Sequence, residues 1–115
     1  MPVLHTTVYL NESPDRLWGL STPVPTGLRQ AASFDLEIGD DLTGQALIHA
    51  AHRIVFEQLN IDNPTATWAL RYRLAGHRSF SVGDVMVIGE TAWLCEPVGW
   101  TCLTTADLIA ALATR

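Results

Sequence analysis

One stretch of the chain carries a clear helical period. In residues 40–59, Leu47, Ala50, Ala51, Ile54, Val55 and Leu59 recur at three- and four-residue steps and form a single apolar stripe. Asp40, Asp41 and Thr43 stand where caps and first-turn acids belong, and Asn60, Asp62, Asn63 and Pro64 end the pattern. A helix with one apolar stripe must cover an apolar surface, and the flanking segments read mostly as strands. The chain is thereby confined to an α+β arrangement with strands before and after one main helix.

Residues 3–10 (VLHTTVYL) are rich in β-branched side chains and read as a strand, which the turn-forming residues 11–15 break. Residues 17–26 hold Gly19, Pro23 and Pro25 and read as an extended or looping path. Residues 33–38 alternate, with Phe34, Leu36 and Ile38 on one face and Asp35 and Glu37 on the other. Residues 79–88 and 91–96 flank Gly89-Glu90, a two-residue connection of β-hairpin type, and residues 100–103 resume the strand pattern. Thr104-Thr-Ala-Asp107 has capping-box spacing ahead of Leu108, Ile109 and Leu112, so a short terminal helix is expected there. Residues 65–74 are compatible with helix or extended chain, and the alternation of Trp68, Leu70, Tyr72 and Leu74 favours a strand.

The expected fold is one domain over residues 1–115. It has a small antiparallel sheet with a β-hairpin in the C-terminal half, packed on the main amphipathic helix, plus the short terminal helix. A strand and a Pro-rich loop fill residues 1–32. With 115 residues and 48% hydrophobic side chains, one core is feasible without staples. No run approaches the roughly 18–20 apolar residues that cross a bilayer, and the first residues lack the pattern of a secretory signal. A cytoplasmic setting, with no membrane contact, follows as an expectation. Cys95 and Cys102 lie seven positions apart; a disulfide between them is one reading, and two reduced apolar side chains the favoured one.

All seven basic residues are arginines, which fits a GC-rich coding sequence. Residues 1–62 carry three Arg against eight acids, a net charge of −5, whereas residues 63–115 carry four Arg against four acids. An acidic protein is a poor coat for nucleic acid, where binding rests on neutralising phosphates. A local contact is still open to the basic stretch Arg71, Tyr72, Arg73, His77, Arg78 and Ser79: two arginines share a face if the chain is extended, and Tyr72 either stacks on a base or packs inward. The competing assignment has Arg78 tying the loop to backbone carbonyls or to Asp84. Four Trp fill the core or serve as interface anchors.

Catalytic readings find little to hold. His49 and His52 lie three apart on the main helix, a spacing metal ligands use, but polar-face or packing roles are favoured and no metal or cofactor is expected. Cys95 shares a strand face with Trp93 and reads as a buried structural thiol, not a nucleophile. Neither a G-x-S-x-G elbow nor a phosphate loop occurs.

Three segments carry a resemblance: Phe56-Glu-Gln-Leu-Asn60, the run from Tyr72 through Arg78-Ser-Phe-Ser-Val-Gly-Asp-Val85, and Cys95-Glu-Pro-Val-Gly-Trp100. Together they resemble the YodL-like small proteins encoded on actinobacterial plasmids, integrative elements and phages, over roughly residues 45–103. Phe80 stands where that family usually has leucine. The resemblance implies an accessory, non-enzymatic protein of a mobile element that binds a host or element-encoded protein, with a nucleic-acid-binding factor as the alternative. It carries no defined biochemical activity and leaves the oligomeric state open. By position, Arg78, Ser79, Ser81, Gly83, Asp84, Gly99 and Trp100 fall on the motif. Their expected role is structural, with Arg78 pairing with Asp84 at the start of the hairpin and Gly83 permitting a bulge.

Overall fold

A computed structural model describes residues 3–11, 28–38, 44–61, 63–96 and 99–113. The elements run β1 (Val3–Asn11), β2 (Leu28–Glu37), α1 (Gly44–Asn60), α2 (Thr67–Leu74), β3 (Val85–Ile88), β4 (Thr91–Cys95), β5 (Trp100–Leu103) and α3 (Thr105–Ala113). The expected cap residues Asp40, Asp41 and Thr43 and the Pro-rich stretch 17–26 lie outside the described residues. The five strands form one antiparallel sheet in the order β2-β1-β3-β4-β5, so the fold is α+β. The expected hairpin joins β3 to β4, with Gly89 at φ 62° in its turn.

The sheet is covered on both faces. On the front, α1 lays Ala50, Ala51, Val55 and Leu59 against Val8, Leu10, Leu36, Met86 and Ile88. On the back, Leu108 and Leu112 of α3 pack against Leu28, Val85, Ala92, Leu94 and Leu103. Ile109, expected on the same apolar side, is exposed instead, because only the 108/112 spacing faces the sheet. The α3 cap is as expected, with Asp107 N–H donating to Thr104 Oγ1 at 3.0 Å.

Three expectations need correction. First, β2 begins at Leu28, not at Ser33, because pairing with β1 supplies the hydrogen bonds that its local composition does not favour. The register slips between Val8↔Ala32 and Tyr9↔Gln30, which makes Ala31 an extra residue in β2. That insertion inverts the alternation: Ala32, Phe34 and Leu36 join the front core, yet Leu28 joins the back one. Second, residues 67–74 form a helix. Gln58 of α1 accepts the N–H groups of Thr65 and Ala66 at 2.9 and 3.0 Å, fixing the turn that starts α2. Ala69 and Tyr72, three apart, are then buried, while Trp68 stacks on Phe34 with ring centroids 4.2 Å apart. Third, the first hairpin strand is short. Residues 79–84 form a loop that ends in a turn, in which Asp84 N–H donates to Ser81 C=O at 3.0 Å. Gly83, at φ 93°, occupies the turn position that demands positive φ and makes the expected bulge there: its N–H donates to Cys95 C=O, the Cys95 N–H donates to Asp84 C=O, and two residues thus oppose one.

Candidate functional site

The chemistry-bearing residues gather where α2 runs out and the chain returns to the sheet. At the centre is Asp84, fully buried. Its Oδ1 accepts the Asn11 backbone N–H at 2.8 Å and its Oδ2 the Ser81 N–H at 2.8 Å. Arg78 closes the set from the solvent side, placing one guanidinium nitrogen on each oxygen at 2.7 Å. Such a two-pronged pair is both stronger and more directional than a single contact. The same guanidinium donates to Asn11 C=O at 2.9 Å and to Ser79 C=O at 3.0 Å. Asn11 Nδ2 in turn donates to Gly83 C=O at 3.2 Å. Asp84 and Gly83 also exchange backbone hydrogen bonds with Cys95. The motif residues thus tie the end of β1 to the entry of the β3–β4 hairpin.

Tyr72 packs inward and is buried, and its hydroxyl donates to Arg78 C=O at 2.5 Å. Burial, together with the nearby Asp84 carboxylate, raises its pKa to about 12 despite the opposing Arg78 charge, so it stays a neutral donor. Because α2 is a helix, Arg71 and Arg73 do not share the face an extended chain would give them. Arg73 turns back to donate to Ile61 C=O, while Arg71 projects into solvent. Ser79 is exposed. The helix also presents Leu70 and Leu74 outward, 45% and 85% exposed, where the alternation reading had set them in a strand beside Tyr72.

His77 follows α2 and tilts against Tyr72 with ring centroids 4.9 Å apart. It lines an open cleft of about 280 Å³ together with Leu10, Arg29, Gln30 and Ala31. Three consecutive β2 residues share this one cleft. The register keeps Arg29 opposite Leu10 and Gln30 opposite Tyr9, and the extra residue Ala31 follows them. Arg29 and Gln30 were not legible as cleft-lining residues, since no glycine or turn signal marks the irregularity beside them.

The remaining motif residues are structural. Gly99, at φ 79°, accepts the Glu96 N–H through its carbonyl at 3.1 Å and so shapes the β4–β5 turn. Trp100 stacks on His52 at 4.4 Å, and Trp93 meets the same imidazole edge-on at 4.7 Å. His52 is therefore a core residue, not part of a polar face. Desolvation first, and the adjacent His49 second, lower its pKa to about 4, leaving it neutral. Its two ring nitrogens and Trp93 Nε1 are buried without hydrogen-bond partners. No three His, Cys, Asp or Glu side chains among the described residues are grouped to hold a metal ion. Cys95 and Cys102 are unpaired thiols; Cys95 is buried, and burial, with Asp84 and Glu96 nearby, pushes its pKa to about 11. No helix among the described residues is long and apolar enough to cross a membrane.

Comparison with protein-family models, curated proteins and solved structures finds no match, so the geometry above carries the functional reading.

Proposed function

We propose that this chain acts by binding a protein partner, host-encoded or encoded by the mobile element or phage that carries it, in the cytoplasm and without a catalytic step of its own. The observation that carries the reading is the outer face of α2. Leu70 and Leu74 lie one helical turn apart and exposed, with Leu74 retaining 85% of its accessible surface. A leucine so placed adds little to the fold, yet its burial by a partner is worth roughly 1.5–3 kcal/mol. Exposed Arg71 rims the pair, and arginine beside apolar side chains is an enriched composition at protein interfaces. The origin in a mobile element rests on the YodL-like resemblance alone, since the motif residues serve the fold.

The alternative, a nucleic-acid-binding factor using Arg71, Arg73, His77 and Arg78, draws less support. Arg78 is engaged by Asp84, Arg73 by Ile61 C=O, and Tyr72 has no exposed ring face on which a base could stack. One experiment weighs both readings: affinity capture from an actinobacterial lysate with the wild-type chain and with Leu74→Glu, beside a DNA and RNA salt titration. A partner recovered reproducibly by the wild type and lost with Leu74→Glu is the expected result. Equal recovery by both chains, or nucleic-acid binding that weakens steeply with salt, overturns it.

A further inference from the structure

A hydroxyl, an imidazole and a carboxylate meet on the back of the sheet, where β1 and β2 lie side by side. His5 stands opposite Asp35 in the strand register, and Thr7 stands opposite Ser33. Ser33 and Asp35 alternate with Ala32, Phe34 and Leu36 of the front core, so both point to the other face. Asp35 Oδ1 lies 3.1 Å from His5 Nδ1, and Ser33 Oγ lies 3.0 Å from His5 Nε2. With the Nδ1 proton donated to the carboxylate, Nε2 carries the lone pair and accepts from the Ser33 hydroxyl. The Thr7 hydroxyl is 3.5 Å from Ser33 Oγ. Nucleophile, base and orienting acid thus follow one another in the order that activates a serine. His5 and Asp35 keep 64% and 70% of their side-chain surface, so the group is reached directly from solvent.

We propose that Ser33 is a self-acylation site that accepts the acyl group of a small thioester. Ser33 Oγ attacks the thioester carbonyl as its proton passes to His5 Nε2. The Oγ–C bond forms, the C–S bond breaks, and the departing thiolate takes the proton back from His5. Asp35 is a positioning residue, which holds the ring in place and offsets the passing imidazolium charge. The product is an alkyl ester on Ser33. A thiolate leaves far more readily than a serine alkoxide, so acylation outruns hydrolysis and the acyl group stays. The event modifies the chain once and is no turnover. It is independent of partner binding at α2, whose Ala69 and Tyr72 pack into the front core.

The test incubates the full chain with the acetyl thioester of N-acetylcysteamine and locates acetyl groups by peptide mass spectrometry. The chain has no lysine to compete for them, and peptide mapping separates Ser33 from the exposed thiol of Cys102. Ser79, an exposed serine whose hydroxyl meets no histidine among the described residues, is the internal control. Ser33 should gain one acetyl group while Ser79 stays free. His5→Gln should slow the labelling about a hundredfold, the scale of a lost general base. Asp35→Asn should slow it about two- to fivefold, as befits an exposed pair, and Asp35→Glu should recover part of that loss. Both substituted positions are exposed, and thermal midpoints verify that the variants fold. No acetyl group on Ser33, equal labelling of Ser79, an unchanged rate in His5→Gln, or Ser33-dependent thiol release continuing past one equivalent per chain would overturn the assignment.

Discussion

Arg78 holds both carboxylate oxygens of Asp84 at 2.7 Å, and the aspartate it holds has no solvent exposure at all. The arginine side chain is one-third exposed, so the pair is a surface cation plugging a buried anion. Truncating one partner of such a pair leaves the other charge uncompensated, and here it also strips acceptors from the Asn11 and Ser81 N–H groups. Asp84→Ala is expected to cost about 3–5 kcal/mol in urea denaturation. A loss below about 1 kcal/mol would mean that the anion is not central to the fold.

His52 sets a pH window. In the unfolded chain its imidazole takes a proton near pH 6.5, whereas in the folded chain it resists protonation down to about pH 4. Between these values the unfolded state binds more protons, so the stability His52 confers is complete above pH 6.5 and is lost as pH falls toward 4. The thermal midpoint of the wild type should decline across this window more steeply than that of His52→Leu. Parallel profiles would show that another group drives the acid sensitivity.

The two thiols should react unequally. Cys102 is exposed, while Cys95 is buried and its thiolate disfavoured. Under native conditions, mass spectrometry after brief alkylation should find the label on Cys102 alone, with Cys95 labelled after denaturation. Rapid native labelling of Cys95 would contradict the packing described for β4.

Gln58 acts across the α1–α2 joint, its side-chain oxygen accepting from two successive backbone N–H groups and its amide donating to Thr65 Oγ1. Ala66, the N-cap residue just before α2, makes no side-chain cap hydrogen bond. Gln58→Ala should therefore cost about 1 kcal/mol. Hydrogen exchange should show the loss concentrated in α2, and uniform acceleration across the sheet would point to a different role.

The main helix, the alternating half of β2, the hairpin turn and the α3 cap were legible because each is specified by residues close together in sequence. The Arg78–Asp84 pair, six residues apart, was legible for the same reason. What sequence reading missed depends on distant partners. The alternation of Trp68, Leu70, Tyr72 and Leu74 has the period of a strand, and it misled because Leu70 and Leu74 face solvent while Gln58 and Phe34 hold the segment helical. The sequence left His52 open to a polar-face or a packing role, and only Trp93 and Trp100, brought in from β4 and β5, decide for packing. The insertion of Ala31 leaves no local mark, so the cleft it helps to shape was invisible in sequence.

The place of β1 in the sheet has a consequence for how the chain assembles. β1 pairs with β2 on one side and with β3 on the other, and the β3 contact joins Tyr9 to Val85 across most of the chain's length. The β1–β2 pair and the β3–β4–β5 meander can each form from neighbours in sequence, but neither half is covered on both faces alone. Closing the β1–β3 seam spans a long loop, and its entropy must be met before the contacts across it give any return. Asn11, Arg78 and Asp84 sit at that seam, so they act as a late latch: they hold two locally formed halves together once they have met.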